Sequence, residues 1–306
     1  MNTLTLPALD GRRALGFLAA LGLTRLLDLY DGESPRLAWK RDTAAAVIQT
    51  THGTIDVLAE HLAEIARSVP DGGVLPGVPT EFPPPGAAPD RLRVRPAELR
   101  RLAAALAPDH DPEVDAWLSS LVTDLTIDDS GRSDISLMAA PSGKQSMRTM
   151  LEKPLAEVRA NPSCLYEALV GWRRYPGVTG EYLDHQVLFD AADSGSGKSE
   201  ERGVPGATWL ALMSYPLLRT TGAGGEPITS GWHRRPRQSP TFLYPLWTTP
   251  LSCEAIVALV EHPLWEKAID GQLPAEAAAL NVFAVHRYQR RRIPGRTFAG
   301  VLAPIE

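Results

Sequence analysis

Arginine-rich segments carry the strongest chemical signal in this chain of 306 residues. Three segments place arginines beside an aromatic residue, and a fourth, rich in Gly and Ser, adds further cations. Guanidinium groups match phosphate oxygens in a planar fork, and aromatic rings stack on bases. The pattern therefore predicts contacts to a nucleic-acid backbone. The residues expected to make them are Trp232, Arg234, Arg235, Arg237, Arg287, Tyr288, Arg290, Arg291, Arg292, Arg296, Lys144, Arg148, Arg173 and Arg174.

The same arginines have a second interpretation as solvated charge runs or as partners of carboxylates. The chain carries 36 Asp and Glu against 31 Lys and Arg, so acidic partners are plentiful. Arginines also anchor protein interfaces. The pattern alone leaves a nucleic-acid partner and a protein partner both open.

The distribution of charge excludes a general basic coat. Residues 201–306 carry 11 Lys and Arg against 8 Asp and Glu, whereas the first 200 residues carry 20 against 28. Any surface that attracts nucleic acid must therefore be local, and the last third of the chain is where we expect it.

Residues 192–199 (ADSGSGKS) fit a relaxed phosphate-binding loop in which Ala replaces the first Gly. Such a loop needs a helix that begins at its lysine, here Lys198. Two glycines and a proline follow within 203–206, so the helix is poorly encoded. We interpret 192–199 as a flexible Ser/Gly loop.

Other acidic and histidine groups match turns better than metal or acid–base sites. His110-Asp111 lies between two prolines, as in a turn. The aspartates of 128–134 fit no calcium-loop spacing, and Asp184-His185 fits an ordinary half-buried strand. Cys164 and Cys253 form no CxxC pair. We therefore expect no metal, no cofactor and no catalytic site.

The elements that must position the arginines predict an α+β fold. A short strand (3–6), a buried helix from 15 and a strand at 36–40 precede a helix over 43–67. Gly16 and Gly22 should let neighbouring elements approach the first helix closely. That helix is too short and too charged to span a membrane, so we expect a cytoplasmic chain with no membrane partner.

Two related lobes are expected, because residues 207–219 align loosely with 15–27, and a Trp-bearing strand and a helix follow each. Coincidence between two Leu/Ala-rich helices is the alternative. We expect helices over 96–107, 112–122, 163–172 and 252–269, strands over 182–189, 243–247 and 281–285, and irregular structure over 128–150. The predicted division is an N-terminal α+β lobe (1–68), a Pro/Gly-rich linker (69–90), a helical middle region (91–180) and a C-terminal α+β lobe (181–306).

Both ends of the chain resemble a known family. Six stretches resemble accessory proteins of type I-G (formerly I-U) CRISPR systems. They are 6–27 (LPALDGRRALGFLAALGLTRLL), 37–39 (LAW), 203–222 (GVPGATWLALMSYPLLRTTG), Trp232, 242–251 and 282–296 (VFAVHRYQRRRIPGR). The best match is the stand-alone family named as an extension of the CRISPR helicase-nuclease. These motifs are packing patterns and transfer no catalytic residue.

The resemblance implies a non-catalytic subunit in RNA-guided antiviral defence. Its partners would be the effector subunits, the helicase-nuclease, and crRNA or target DNA, whose backbone such complexes hold in positive channels. A protein adaptor without nucleic-acid contact is one alternative. A hydrolase that uses Lys198 and Ser199, or a metal-dependent nuclease that uses the aspartates, is another.

Overall fold

The computed structural model describes residues 1–32, 34–86, 90–106, 112–139, 145–189, 200–292 and 300–305. The helices are α1 (Ala14–Asp31), α2 (Ile55–Ser68), α3 (Pro96–Leu106), α4 (Pro112–Leu121), α5 (Met147–Ala160), α6 (Ser163–Val170), α7 (Pro205–Met213) and α8 (Cys253–Val260). Further 3-10 turns span Gly180–Tyr182, His185–Val187, Tyr215–Leu217, Pro263–Ala268 and Ala275–Leu280. Within these ranges, no helix has the length and apolar character needed to cross a bilayer.

The strands form small antiparallel sheets, and the predicted α+β class is confirmed. They are β1 (Asn2–Asp10), β2 (Arg36–Trp39), β3 (Ala45–Thr50), β4 (Val122–Ile127), β5 (Ser133–Ile135), β6 (Tyr175–Pro176), β7 (Leu188–Phe189), β8 (Glu200–Gly203), β9 (Thr220–Ala223), β10 (Glu226–Thr229), β11 (Trp232–His233), β12 (Thr241–Trp247), β13 (Val282–Arg291) and β14 (Val301–Pro304).

The N-terminal sheet has the order β1-β3-β2, with β3 in the centre. The helix predicted over 43–67 is therefore wrong at its start, because residues 45–50 are a strand. Val47, Ile48 and Thr50 are β-branched and favour a strand that is paired on both sides. Helix α2 begins only at Ile55, where the Thr54 hydroxyl accepts from the Val57 amide and caps it.

Helix α1 is buried along most of its length and packs mainly against α7. A methyl group at Gly22 would overlap the carbonyl oxygen of Leu210 on α7, and one at Gly16 would overlap the carbonyl oxygen of Asp10. The predicted close approach at both glycines is thus confirmed. The two helices of the proposed repeat are in direct contact.

The second large sheet, of order β11-β12-β13-β14, shares an apolar cluster with α1. The rings of Phe17 and Tyr244 stack at 4.1 Å between centroids. The backbone amides and carbonyls of Leu37 and Leu251 exchange two hydrogen bonds of 2.9 Å, which join this part of the fold to β2. One apolar cluster therefore contains residues from both ends of the chain.

The Pro/Gly-rich stretch of 69–90 differs from the exposed linker expected for it. Val74, Leu75 and Phe82 are buried in the main apolar cluster. The Arg148 guanidinium donates to the carbonyl oxygens of Thr80 (3.1 Å) and Pro83 (2.6 Å). Side-chain donors thus satisfy backbone groups that the stretch cannot pair within itself.

Two predictions for the middle of the chain are wrong in part. Helix α5 starts inside the stretch expected to be irregular, because Ser146 and Thr149 form a capping box at its N-terminus. Residues 182–189 form 3-10 turns and only the short β7 in place of a full strand. Left-handed backbone at Glu181 and Tyr182 prevents a regular extended segment there.

Candidate nucleic-acid interface

The turn between β1 and α1 presents Arg12 and Arg13 at the protein surface. The Asp10 carboxylate accepts from the Arg12 amide (2.9 Å) and from its guanidinium. The hydroxyl of Tyr288 on β13 donates to the Arg12 carbonyl oxygen at 2.7 Å. These contacts fix the turn to β13, so the two basic segments are held close together.

Arg13 reaches across to two other parts of the chain. Its guanidinium lies 5.4 Å from the centroid of the Trp172 ring, a cation–π distance. It also donates to the Gln186 side-chain oxygen at 3.1 Å. Among the described residues, Arg13 forms no ion pair with a carboxylate, so its positive charge is not neutralised locally.

Arg174 anchors the neighbouring backbone. Its guanidinium donates to the Asp184 carboxylate (2.5 Å), to the Arg202 carbonyl oxygen (3.0 Å) and to Gln186 (3.3 Å). The guanidinium and the carboxylate are both largely buried, so this ion pair is structural. Arg174 therefore positions Gln186 for Arg13 and adds little net charge of its own.

The pKa of the His185 imidazole is lower than its ordinary value. Burial lowers the pKa of its imidazole and Asp184 raises it, while the charges of Arg13, Arg291 and Arg174 lower it further. The charges of three arginines from distant parts of the chain therefore act on one imidazole. Because its pKa lies below the ordinary value, the His185 imidazole is mostly neutral at neutral pH.

We call this surface the basic face. It is defined by Arg13, Arg174 and Arg291, whose charges act on His185, together with Arg173 and Arg292, the exposed chain neighbours of Arg174 and Arg291. Arg291 and Arg292 are exposed and form no ion pair within the described parts of the chain. Arg173 is 72% exposed and lies 3.9 Å from Glu167, a weak surface pair. The face therefore has three unneutralised guanidinium groups, those of Arg13, Arg291 and Arg292.

The segment around Trp232 is more nearly neutral than the sequence suggested. Arg234 pairs with Glu226, and Arg235 forms a bidentate pair with Asp270 at 2.6 and 2.5 Å. Arg237 is exposed, in a left-handed turn. The adjoining cleft of about 490 Å³ also contains Glu266. Carboxylates thus neutralise two of the three arginines predicted here to bind phosphate.

The two aromatic residues expected to stack on bases are both buried. The Trp232 indole donates to the Met138 sulfur at 2.9 Å and packs on Phe242. The Tyr288 ring lies against Tyr244, and its hydroxyl is used by Arg12. Neither ring has an exposed face for a base, because both complete the apolar core.

Three predicted arginines act within the protein. Arg290 donates to the carbonyl oxygens of Tyr182 (3.0 Å), Gly300 (3.3 Å) and Met138, and burial lowers its pKa to about 10. Arg287 donates to the Ile269 carbonyl oxygen at 3.2 Å. Arg148 holds the segment around Thr80, as described above. Their donors satisfy backbone acceptors, and phosphate would have to compete with these bonds.

Several predicted positions lie outside the described residues: Lys144, Arg296, His110-Asp111 and the phosphate-loop-like 192–199. Asp128 is described and is a turn anchor. Its carboxylate accepts from Arg93, Arg132 and the Ser130 amide. Burial raises the pKa of Asp128, but the hydrogen bonds from Arg132 and Ser130 and the charge of Arg132 outweigh it and lower the pKa to about 2.

Sequence reasoning missed Arg12, Arg13 and Gln186 as members of the interface. Arg12 and Arg13 follow Asp10-Gly11, a turn signal between a strand and a helix. That signal was sufficient to place both arginines on the surface. Their proximity to β13 depends on the tertiary fold and has no signal in the spacing.

Two comparisons with known proteins find no relative of this chain. A scan against models of protein families finds none that matches the chain, and a search of curated proteins finds no relative. Any assignment of function therefore rests on the residues of the basic face and on the resemblance of the two chain ends.

Proposed function

We propose that this chain is a non-catalytic subunit of a type I-G CRISPR interference complex, and that its basic face contacts the phosphate backbone of guide RNA or target DNA. The observation that carries the proposal is that the charges of Arg13 and Arg291, from distant parts of the chain, both act on the His185 imidazole, while neither arginine forms an ion pair among the described residues. The exposed Arg292 follows Arg291 in the chain. Guanidinium groups in such a cluster bind phosphates regardless of base sequence. The CRISPR setting rests on the resemblance of the chain ends.

The rigid mounting of the face favours a positioning role. Arg13 is held by Trp172 and Gln186, and Gln186 is held by Arg174. Preorganised guanidinium groups lose less rotamer entropy on binding than mobile ones. Base pairing would then read sequence while this subunit holds backbone, in a chain that we assign to the cytoplasm. The assignment agrees with two buried cysteines that form no disulfide.

Co-purification with the products of neighbouring genes tests the complex. A tagged chain should bring down a crRNA-bearing assembly or the helicase-nuclease, and nuclease treatment should weaken the association. Recovery of protein partners that neither nuclease nor salt disturbs would favour the adaptor alternative. Recovery of the chain alone would contradict the proposed role.

Charge reversal tests the face. Arg291→Glu with Arg292→Glu should lower affinity for a labelled 20-nucleotide RNA or DNA by about 10-fold or more, because two phosphate contacts become repulsive. Arg234→Glu with Arg235→Glu is the matched control, since carboxylates already neutralise both arginines. If both double variants lost the same affinity for nucleic acid and had the same melting temperature, Arg291 and Arg292 would not be the phosphate contacts.

A further inference from the structure

A second polar cluster joins three elements of the N-terminal part of the fold. Asp31 is the last residue of α1, His52 follows β3, and His61 lies on α2. The Asp31 carboxylate oxygens lie 2.9 Å from His52 Nε2 and 2.7 Å from His61 Nε2. The two imidazole rings are 4.7 Å apart between centroids. One potential ligand atom from each of the three residues lies within 4.8 Å of the other two.

Hydrogen bonding accounts for only part of this arrangement. His52 Nε2 and Asp31 Oδ2 have hydrogen-bond geometry. His61 Nε2 is buried and forms no such bond with any described residue, although Asp31 Oδ1 lies 2.7 Å away. His61 Nε2 and Asp31 Oδ1 are therefore in close contact, but in an arrangement that is poor for a hydrogen bond between them.

The electrostatics at the end of α1 favour a cation. The last turn of α1 contains no basic residue, whereas Asp28 and Asp31 both lie there. Carboxylates at a helix C-terminus add to the negative end of the helix dipole and are destabilising on their own. A bound cation would offset both sources of negative charge, and the histidines supply nitrogen ligands for it.

We propose that Asp31, His52 and His61 bind Zn²⁺. Two imidazoles and one carboxylate are a ligand set that suits zinc and does not suit magnesium or calcium. Ligand atoms around tetrahedral zinc are separated by roughly 3.3 Å, given bonds of about 2.0 to 2.2 Å. The present contacts, 2.9 Å from His52 Nε2 to Oδ2 and 2.7 Å from His61 Nε2 to Oδ1, are shorter than this separation and involve both oxygens of Asp31. Binding would therefore need a small opening of the cluster and a rotation of the Asp31 carboxylate. Water completes the coordination.

Glu64 supplies the outer partner that such a histidine usually has. Its carboxylate lies 3.8 Å from His61 Nδ1, one helical turn away on α2. A carboxylate at Nδ1 fixes the tautomer that leaves Nε2 to bind metal. Glu64 is largely exposed, so a side-chain rotation shortens this contact without cost to the core.

The zinc ion would act as a clip. It would tie the C-terminus of α1 to the start of α2 across the turn that contains His52. Such a clip adds its binding free energy to the stability of the native state. No cysteine takes part, and the spacing of the three ligands matches no zinc signature in the sequence, which is why sequence analysis predicted no metal.

Calorimetric titration of the full chain with Zn²⁺, after chelator treatment and dialysis, tests the site. We expect one equivalent to bind with micromolar or better affinity and to raise the melting temperature. This experiment needs no variant. A wild-type chain that takes up no zinc, or that binds zinc without any rise in melting temperature, would overturn the proposal.

Variants then locate the ion. His61→Ala and Asp31→Asn should each lower zinc affinity by more than about 100-fold, because loss of a direct ligand exceeds the loss of an outer partner. Glu64→Gln should cost about 10-fold. His262→Ala is the matched control on another element and should bind as the wild type does. With native circular dichroism in every variant, undiminished binding by His61→Ala and Asp31→Asn would overturn the site.

Discussion

Individual arginines in this chain differ by what their guanidinium groups contact, and the sequence does not show these contacts. Arg290 donates to three backbone carbonyl oxygens, Arg174 pairs with the buried Asp184, and Arg291 is exposed. All three lie beside other arginines or aromatics in the sequence. The residue type was sufficient to predict candidates for phosphate binding. The partner, which decides the role, depends on packing between distant segments.

Glu181 is a buried acidic residue with an unusual titration. Its carboxylate accepts from Gln145 at 2.6 Å, and its backbone is left-handed. Burial raises its pKa to about 7, against smaller opposing effects of Gln145, Lys153 and Thr179. The folded state therefore binds a proton that the unfolded state releases between about pH 4.5 and 7.

We predict that Glu181 makes the free energy of unfolding fall as pH rises from about 4.5 to about 7. The folded state must then carry a buried negative charge, at a cost of about 3 kcal/mol. Glu181→Gln should remove this decline, so the variant gains stability relative to wild type between pH 5 and pH 8. Urea unfolding of wild type and variant at pH 5 and at pH 8 measures this difference in stability, and Glu152→Gln, at an exposed position, is the control. Parallel pH dependence in wild type and Glu181→Gln would contradict the assignment.

At the scale of elements, the contact between α1 and α7 is the main helix packing of the fold. Gly22 brings the backbone of α1 against the Leu210 carbonyl of α7. Backbone atoms cannot rotate away as side chains do, so the space is fixed. The position of α7 on α1 therefore depends on the absence of a side chain at residue 22.

Gly22→Ala should reduce the free energy of unfolding by about 3 kcal/mol, at the upper end of the cost of overpacking. Gly53→Ala is the control, because a methyl group there meets nothing within 4 Å. It should change stability by less than about 1 kcal/mol. Chemical denaturation of both variants measures the difference. A Gly22→Ala protein as stable as Gly53→Ala would show that the helices can separate at no cost.

Elements with strong local signals were predicted well. The buried helix α1 and the strand β2 follow from apolar pattern and turn residues, and the end of the helix predicted over 43–67 matches α2, whose start at Ile55 was not predicted. Strand β3 was missed because AAVIQT precedes a helical pattern without a clear break, and its pairing on both sides is a tertiary fact. Helix α5 was missed because Pro154 lies inside it.

At the scale of the whole molecule, both candidate sites form where distant segments meet. The basic face joins the β1–α1 turn, the segment after α6, the turn at His185 and the end of β13. The zinc cluster joins α1, α2 and the turn after β3. The sequence showed most of the arginines of the basic face, but it did not show the geometry of either site. Contacts between residues far apart in the chain produce no periodic pattern in the sequence. The two sites share no residue, so each proposal can fail alone.

The most direct measurement is the salt dependence of nucleic-acid binding. Three unneutralised arginines that contact phosphates predict that log K falls with log salt at a slope of about −2 to −2.7. Between 50 and 200 mM salt, affinity would then fall about 20-fold for a 20-nucleotide single strand and about 40-fold for a duplex of 20 base pairs. Replacing Arg13, Arg291 and Arg292 together by Gln should flatten this slope, whereas the same replacement of Arg234, Arg235 and Arg237 should preserve most of it. A slope near zero for the wild type, or an equal slope after loss of the first three arginines, would contradict the proposed role of the basic face.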